Sequence, residues 1–503
     1  MYSIRKCWLI LLLLVTINSM AQIKTPGVVV REIAAFPASV AQVETAIPVF
    51  IGYTEKADDK RPGDLRFVAR RISSMDEFEK YYGSAAPAEI SKIQLDAGHK
   101  VVSATIAPPI YFLHPSLLLF LQNGGQAFYV VSIGGFTGTP GQQDFEKGIQ
   151  AAAKADEPAM VLFPDAVSLP AGQLYAVQQK ALEKAGLLAD RFCILDLKYA
   201  ADISAQQNAV KEFRSGIGQQ QLRNGAAYAP FFKIDFPYEY TKYRYWKNAI
   251  WVDSRQVSPK QLTPDPAIWQ KIDELENLPV TDPAYQVKES ELVRSLPVLK
   301  QITDWLWRQQ VIIPPSGAVA GVYAGVDRKA GVWKAPANIS VSGIRGVSVV
   351  INNNDQESMN VDLISGKSVN AIRDFTGKGF LVWGARTLAG NDNEWKYVPI
   401  RRFFLMVEES VKKATQPFVF EPNDANTWAK IKLMIENYLF QLWKNGALMG
   451  TKPEHAYFVK LGLGQTMTQQ DILEGKLNVE IGMAPVRPAE FIVLRFQLKM
   501  LTK

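Results

Sequence analysis

Hydrophobic and polar positions in the first half of the chain predict strands and helices in alternation. Residues 46–53 (AIPVFIGY) are an apolar run, which is typical of a strand buried on both faces. Residues 160–163 and 192–197 are two further strand-like runs, and residues 173–185 between them have helical spacing. This alternation predicts an α/β unit with a partly parallel sheet.

The segments around this alternation have more varied patterns. Residues 74–82 have helical spacing, and residues 117–131 pass from an apolar helix through two glycines into a strand. We expect residues 213–216 to open a loop and residues 228–234 to form one strand.

A polar region follows in the middle of the chain. Residues 255–290 are polar and contain spaced prolines, so we interpret them as a surface excursion. Residues 289–312 are helical in period, with a break near Pro297.

The C-terminal part predicts a strand at residues 379–383 and two long helices. The first helix, residues 401–413, has Phe404, Val407 and Val411 on one face. Its other face carries the i,i+4 pairs Glu408–Lys412 and Glu409–Lys413. The second helix is capped by Asn423 or Asp424, ends at Gly446, and has an apolar stripe of Trp428, Ile431, Ile435, Leu439 and Leu442. Residues 491–500 alternate and predict a half-buried terminal strand.

Composition excludes several classes of function. The 503 residues carry a net charge of +7, but Lys and Arg are interspersed with Asp and Glu, so we expect no nucleic-acid partner. The length favours several packed units. Beyond the first two dozen residues, no apolar stretch is long enough to span a bilayer, so we expect no stable membrane insertion.

Cysteine and histidine are scarce. The two cysteines, Cys7 and Cys193, exclude a disulfide-stapled fold and a cysteine-based zinc site. His99, His114 and His455 are far apart in the sequence and leave little for a metal site or a histidine-dependent triad. We therefore expect no metal and no cofactor.

The first 22 residues leave the cellular location open. Arg5 and Lys6 precede an apolar segment at 8–17, and residues 19–21 have the small-x-small pattern of a cleavage site. These are the features of a secretory signal peptide. The alternative is that translation starts at Met20, which gives a protein without this leader.

These patterns leave two classes of function open. The leader favours a secreted α/β binding protein, and the strand–helix alternation favours an α/β hydrolase-like enzyme. Asp165 and Asp196 lie at predicted strand ends, where catalytic acids often occur, although such residues more often cap the next helix. Residues 365–368 (SGKS) end like a P-loop, but Val361 stands where that motif needs glycine.

Ordered blocks from about residue 24 to the end resemble the tail sheath family of contractile phage tails, R-type bacteriocins and extracellular contractile injection systems. The likeness is weakest at residues 140–310. The blocks are TPGVVV (25–30), VETAIPVFIGYTEK (43–56), PPSGAVAG (314–321), GVWKAPAN (331–338), VWGARTL (382–388), EWKYVPIRR (394–402), FEPNDANTW (420–428), KLGLGQTMT (460–468) and APVRPAEF (484–491). KLGLGQTMT and APVRPAEF are more similar to the extracellular injection systems.

The resemblance implies an α/β (α+β) multidomain fold with a subtilisin-like topology in its middle domain. The implied segments are a leader at 1–19, an N-terminal arm at 20–35, a sheath α/β region at 36–380 with the excursion at about 255–290, a C-terminal sheath domain at 381–489 and a C-terminal arm strand at 490–503.

The resemblance also implies a structural subunit that is not an enzyme. Such subunits polymerise helically around an inner tube and contract to drive it through a target membrane. Their terminal arms exchange β-strands between neighbours, a role that falls here to Val28, Val29, Val30, Arg31, Glu32 and Ile33 and to Phe491, Ile492, Val493, Leu494, Arg495, Phe496 and Gln497. From the residues alone, the favoured alternative is that both segments pair within their own subunit, as terminal strands often do.

The implied partners are further copies of the chain, an inner tube protein, baseplate and cap proteins, and paralogous sheath subunits. Arg401, Arg402, Lys412 and Lys413 are the predicted tube-facing residues, on the expectation that they are exposed charges. The alternative is that the Glu–Lys pairs only solubilise a surface helix. Cytoplasmic assembly followed by release in a particle favours a start at Met20, whereas a genuine signal peptide implies export.

Overall fold

The computed structural model describes residues 40–235, 241–280 and 282–490, which belong to one compact unit. These residues form eighteen strands, with the bounds β1 Pro48–Tyr53, β2 Arg70–Ile72, β3 Ile90–Leu95, β4 Val101–Ile106, β5 Phe128–Gly134, β6 Met160–Leu162, β7 Phe192–Asp196, β8 Gly225–Ala229, β9 Phe232–Asp235, β10 Ile250–Val252, β11 Arg255–Gln256, β12 Gln310–Ile313, β13 Ile339–Ser340, β14 Gly346–Val347, β15 Val369–Phe375, β16 Gly379–Val382, β17 Tyr457–Lys460 and β18 Glu480–Met483.

The same residues form fifteen α-helices. Their bounds are α1 Met75–Tyr82, α2 Leu113–Gln122, α3 Gln142–Ala152, α4 Ala171–Leu188, α5 Ile203–Gly216, α6 Tyr243–Trp246, α7 Pro266–Glu276, α8 Tyr285–Ser295, α9 Pro297–Trp307, α10 Ser316–Ala330, α11 Asn353–Asn360, α12 Val398–Thr415, α13 Ala425–Lys444, α14 Pro453–Ala456 and α15 Gln469–Leu473.

A nine-stranded sheet forms the centre of the molecule, in the order β13-β16-β15-β8-β7-β6-β1-β5-β2. The six strands from β15 to β5 are parallel, and the outer strands β16, β13 and β2 are antiparallel to their neighbours. Alternate residues of β1 enter two cores, Phe50 on one face and Val49 and Ile51 on the other. The predicted α/β unit with a partly parallel sheet is confirmed.

Two local predictions in this region are wrong. Residues 228–234 are not one strand, because the chain turns at Pro230 and places β8 and β9 in different sheets. Proline has no N–H group for a central ladder, which explains the break. Residues 213–216 do not open a loop but complete helix α5, where Gly216 leaves room for the ring of Tyr175, 2.2 Å from a Cβ placed on the glycine.

The described residues of the range 255–290 form regular elements. They contain β11 and α7 and the beginning of α8, and they pack with β3, β10 and α9 around a third core. Its largest buried side chain is Trp246, with Ile250, Ile272, Leu292 and Leu299 around it. The break near Pro297 is confirmed, because α8 ends at Ser295 and α9 begins at the proline.

The C-terminal part has a fourth core between α12, α13 and the β17–β18 hairpin. The predicted stripe of α13 is confirmed, because Ile431, Ile435, Leu439 and Leu442 are buried there and Trp428 packs against them. Asp424 caps this helix by accepting hydrogen bonds from the backbone of Asn426 and Thr427. The predicted domain division after residue 380 falls inside strand β16, which pairs with β15.

Helices α2 and α10 pack unusually closely under one face of the sheet. Three glycines of α10, Gly317, Gly321 and Gly325, face α2 at i,i+4 spacing. A Cβ atom on Gly321 would lie 2.4 Å from the carbonyl oxygen of Phe120, and one on Gly317 would lie 2.5 Å from that of Ser116. Any side chain at these positions would therefore push the two backbones apart.

Replacing Gly321 with alanine should destabilise the protein by about 1–3 kcal/mol, because overpacking against a backbone carbonyl outweighs the better helix propensity of alanine. Gly172→Ala is the matched control, since a Cβ on Gly172 in the first turn of α4 has no atom within 4 Å. It should be neutral or stabilise by about 0.5–1 kcal/mol. Urea unfolding of both variants measures the difference, and equal midpoints would contradict the close-packing account.

Candidate assembly surfaces

In this protein a buried aspartate lies at the crevice where an open α/β sheet usually binds a ligand. Such crevices lie outside the carboxyl ends of the parallel strands where their order changes direction, here between β1 and β6. The fully buried carboxylate of Asp165 lies at this point. It accepts hydrogen bonds from the backbone N–H groups of Tyr53 at 2.7 Å and Leu113 at 2.8 Å, and also from that of Phe112.

Asp196 has the same role one strand further along the sheet. Its carboxylate is buried and accepts a hydrogen bond of 2.9 Å from the backbone N–H of Ser316, the first residue of α10. The two aspartates thus cap helices, but each caps a helix that is distant in the sequence. The expectation that each caps the helix that follows it is wrong. Burial raises the pKa of each to about 7, opposed by the hydrogen bonds that they accept.

A cleft of about 1040 Å³ lies between the carboxyl ends of these strands and the third core. Its described lining is largely apolar and proline-rich, with Glu89 as its one carboxylate and with no histidine or cysteine. The hydroxyl of Ser168 in this lining donates to the carbonyl of Ile110 at 2.7 Å. No group of His, Cys, Asp and Glu within the described ranges could hold a metal ion. The geometry therefore does not support the hydrolase-like alternative.

Arg401 and Arg402 of α12 are buried, so the expectation that they are exposed charges is wrong. Arg402 forms a two-pronged ion pair with Asp327 of α10, at 2.6 and 2.9 Å, and also donates to the carbonyl of Thr45 at 2.9 Å. Arg401 donates to Asn224 at 2.8 Å and lies 3.5 Å from Glu408. Both arginines are engaged inside the protomer.

Lys412 and Lys413 are exposed near the end of α12. Both pair with Glu409, at 3.0 and 3.4 Å. The predicted Glu409–Lys413 pair is therefore confirmed, whereas Glu408 pairs with Arg401 and not with Lys412. Contact with a tube stays a prediction for these two lysines.

Strands β17 and β18 form a sheet of only two strands on the surface of the fourth core. Their antiparallel register pairs Tyr457 with Met483 and Lys460 with Glu480. Among the described residues no third strand joins this sheet. The predicted arm residues 28–33 and 491–497 lie outside the described residues.

Sequence reasoning missed one cluster, where the last described residue, Glu490, meets Arg386. The two side chains form an ion pair of 2.6 Å although they lie 104 residues apart. Both residues belong to blocks that carry the family resemblance, APVRPAEF and VWGARTL, which was the available signal.

Residues 390–499 match the profile of the family described as "Phage tail sheath C-terminal domain". This C-terminal part of the chain thus resembles the tail sheath family. Among curated relatives, the tail sheath protein of Vibrio phage KVP40 is 23% identical over 185 residues, which is 37% of this chain and 26% of that protein. The tail sheath protein of Burkholderia phage BcepMu is 26% identical over 163 residues, 30% of this chain and 32% of that protein. The matches thus span about a quarter to a third of these relatives.

Solved sheath structures match nearly the whole chain. A chain of the anti-feeding prophage helical sheath in the contracted state is 27% identical, with a TM-score of 0.60, and the match covers 94% of this chain and 98% of that one. A chain of the PVC sheath complex, an extracellular contractile injection system in the contracted state, is 26% identical, with a TM-score of 0.58 and coverage of 94% and 97%. These matches confirm the mixed α/β multidomain sheath fold.

The matched family is one of structural sheath proteins. A search of the helices in the described part of the chain finds none that is long and apolar enough to cross a membrane. The PVC sheath complex that it resembles belongs to an extracellular contractile injection system.

Breaking the buried Arg402–Asp327 pair should strongly destabilise the protein. Arg402→Met leaves Asp327 buried without its cation, which should cost about 3–5 kcal/mol. Arg345→Met is the matched control, because Arg345 and Asp235 form an exposed pair of 2.7 Å, and its loss should cost at most about 1 kcal/mol. Urea unfolding compares the two, and equal losses would contradict the structural role of the buried pair.

Proposed function

We propose that this protein is the subunit of a contractile sheath, which polymerises helically around an inner tube and shortens to drive that tube through a target membrane. The observation that carries the proposal is the likeness over 94% of the chain to subunits of sheaths in the contracted state. Two observations support a mechanical role. The carboxylate of Asp165 is engaged by backbone N–H groups, and the described lining of the large cleft contains no histidine or cysteine.

Exchanged terminal strands hold neighbouring subunits together in this proposal. The β17–β18 hairpin supports it, because a two-stranded sheet is marginal by itself and offers main-chain groups to further strands. Residues 28–33 and 491–497 are β-prone segments near the two ends of the chain. Arms from neighbouring subunits add to the hairpin by β-augmentation, with main-chain hydrogen bonds for affinity and alternate side chains for register.

Contraction is a change between two packings of the same subunits. Head-to-tail contacts that do not close into a ring generate a helical polymer. Each subunit moves as a body, and many small differences in packing free energy add up to the work of contraction without a nucleotide. The middle α/β region, with a subtilisin-like topology, is the rigid part of that body.

The inner tube is contacted through Lys412 and Lys413 in this proposal, because their charge is exposed while that of Arg401 and Arg402 is not. Exposed charge pairs separate at little cost when a lattice expands. The other partners are baseplate and cap proteins and paralogous sheath subunits, with no nucleic acid and no membrane insertion. Assembly takes place in the cytoplasm, and the finished particle is then released.

Deleting residues 491–503 should abolish sheath formation while the protomer keeps its fold, since the deletion removes only the arm. Electron microscopy of the purified protein counts sheaths, and circular dichroism checks the fold. A chain that ends at residue 500 is the matched control, because it retains the predicted arm residues 491–497 and should assemble normally. Normal sheaths from the chain that lacks 491–503 would contradict the exchange of this arm.

Reversing both charges, in Lys412→Glu with Lys413→Glu, should prevent extended sheath from forming on the tube but leave sheath–sheath contacts intact. Lys432→Glu is the control, since Lys432 is exposed on α13 and lies 3.8 Å from Glu436. Electron microscopy of particles co-produced with the tube distinguishes filled extended sheaths from empty ones. Filled, extended particles from the double variant would disprove the tube contact.

A further inference from the structure

The last seven described residues, 484–490, connect the fourth core with the nine-stranded sheet. We call them the C-terminal strap. At its start, the backbone N–H of Met449 donates to the carbonyl of Ala484 at 2.7 Å, and that of Val486 donates to the carbonyl of Ala447 at 3.1 Å. Further along, the Arg487 guanidinium donates to the carbonyl of Asn393. Pro485 and Pro488 stiffen the segment between these points.

The strap ends in a clamp around the carboxylate of Glu490. Arg386 binds both carboxylate oxygens, with Nε at 2.9 and 3.1 Å and Nη2 at 2.6 Å. Asn360 donates to one oxygen at 2.8 Å, and the Tyr397 hydroxyl donates to the other at 3.1 Å. Burial raises the pKa of Glu490, but these bonds outweigh it and leave the pKa below its ordinary value. The carboxylate is therefore held charged by three side chains.

The clamp is built on the nine-stranded sheet and not on the C-terminal hairpin. Arg386 is buried, and Asn370 of β15 holds its backbone at two points. The backbone N–H of Arg386 donates to the side-chain oxygen of Asn370 at 2.8 Å, and the side-chain NH2 of Asn370 donates to the carbonyl of Arg386 at 2.8 Å. Asn360 ends helix α11, which packs on β15. A pull on Glu490 therefore passes into the central sheet.

We propose that the C-terminal strap is a fixed mount for the C-terminal arm, with Glu490 as the positioning residue that transmits load from the arm to the nine-stranded sheet. The partner is a second copy of this chain, and the inference rests on the proposed function. The predicted arm begins at the next residue, Phe491. Because the first residue of the arm follows a fixed Glu490, the effective concentration of the arm at the neighbouring subunit is higher. The load on the arm also bypasses the β17–β18 hairpin, which in this proposal binds the arms of neighbouring subunits.

Glu490→Gln tests the mount, because it removes the charge that Arg386 binds and keeps the size of the side chain. Glu274→Gln is the matched control, since Glu274 on α7 forms an exposed ion pair of 2.7 Å with Lys288. Ile431→Val lowers the stability of the fourth core without contact to the strap and controls for stability alone. Tyr397→Phe and Asn360→Ala each remove one neutral donor and carry the test if Glu490→Gln does not fold.

Two measurements are made on each full-length variant, hydrogen exchange of the strap amides in the dispersed protomer and the yield of intact sheaths by electron microscopy. We expect Glu490→Gln alone to speed exchange in the strap and to lower the sheath yield by about tenfold or more. Yields equal to those of the controls would overturn the mount, and so would unchanged exchange. If the unmodified protein itself forms no sheath, the proposed function fails, and hydrogen exchange alone decides whether the clamp exists.

Discussion

The architecture depends on helix α12, because this helix belongs to two cores at once. Its Val398 and Leu405 pack under the nine-stranded sheet, while Phe403 and Met406 pack into the C-terminal core. A helix shared in this way joins two units rigidly only if it cannot rotate about its axis. The buried ion pair between Arg402 and Asp327 prevents that rotation, because the forked geometry of the guanidinium admits one orientation. The charge of Arg402 therefore fixes the orientation of helix α12 within the protomer.

The α/β part has an open parallel sheet of the kind found in many enzymes. The aspartates at the carboxyl ends of its strands, where such sheets usually bind ligands, are buried. Asp165 and Asp196 lie at the ends of adjacent strands, and their carboxylates accept hydrogen bonds from the N-termini of α2 and α10. Because Gly317 and Gly321 of α10 have no side chain, the two helices approach so closely that no Cβ atom would fit between their backbones. The result is a closely packed block, which suits the proposed role of transmitting force.

Patterns local in the sequence were sufficient for much of the fold. Strand β1 was predicted because a strand buried on both faces is a continuous apolar run. The buried stripe of α13 was predicted because burial repeats with the period of a helix. The assembly surfaces were harder, since their decisive contacts join distant residues: Asp327 lies 75 residues from Arg402, and Glu490 lies 104 residues from Arg386. The pattern of charge on α12 could not reveal a partner on another helix. The i,i+4 glycines of α10 were a readable signal for close helix packing that the resemblance alone did not explain.

The central claim is that subunits are joined by strands exchanged between neighbours. A helical cryo-electron microscopy reconstruction of the assembled polymer, at a resolution that traces the main chain, tests it most directly. It should show residues 491–497 of one subunit hydrogen-bonded along an edge of the β17–β18 hairpin of another, with the chain leaving its own subunit at the clamped Glu490. A polymer in which those residues fold back onto their own hairpin would contradict the account.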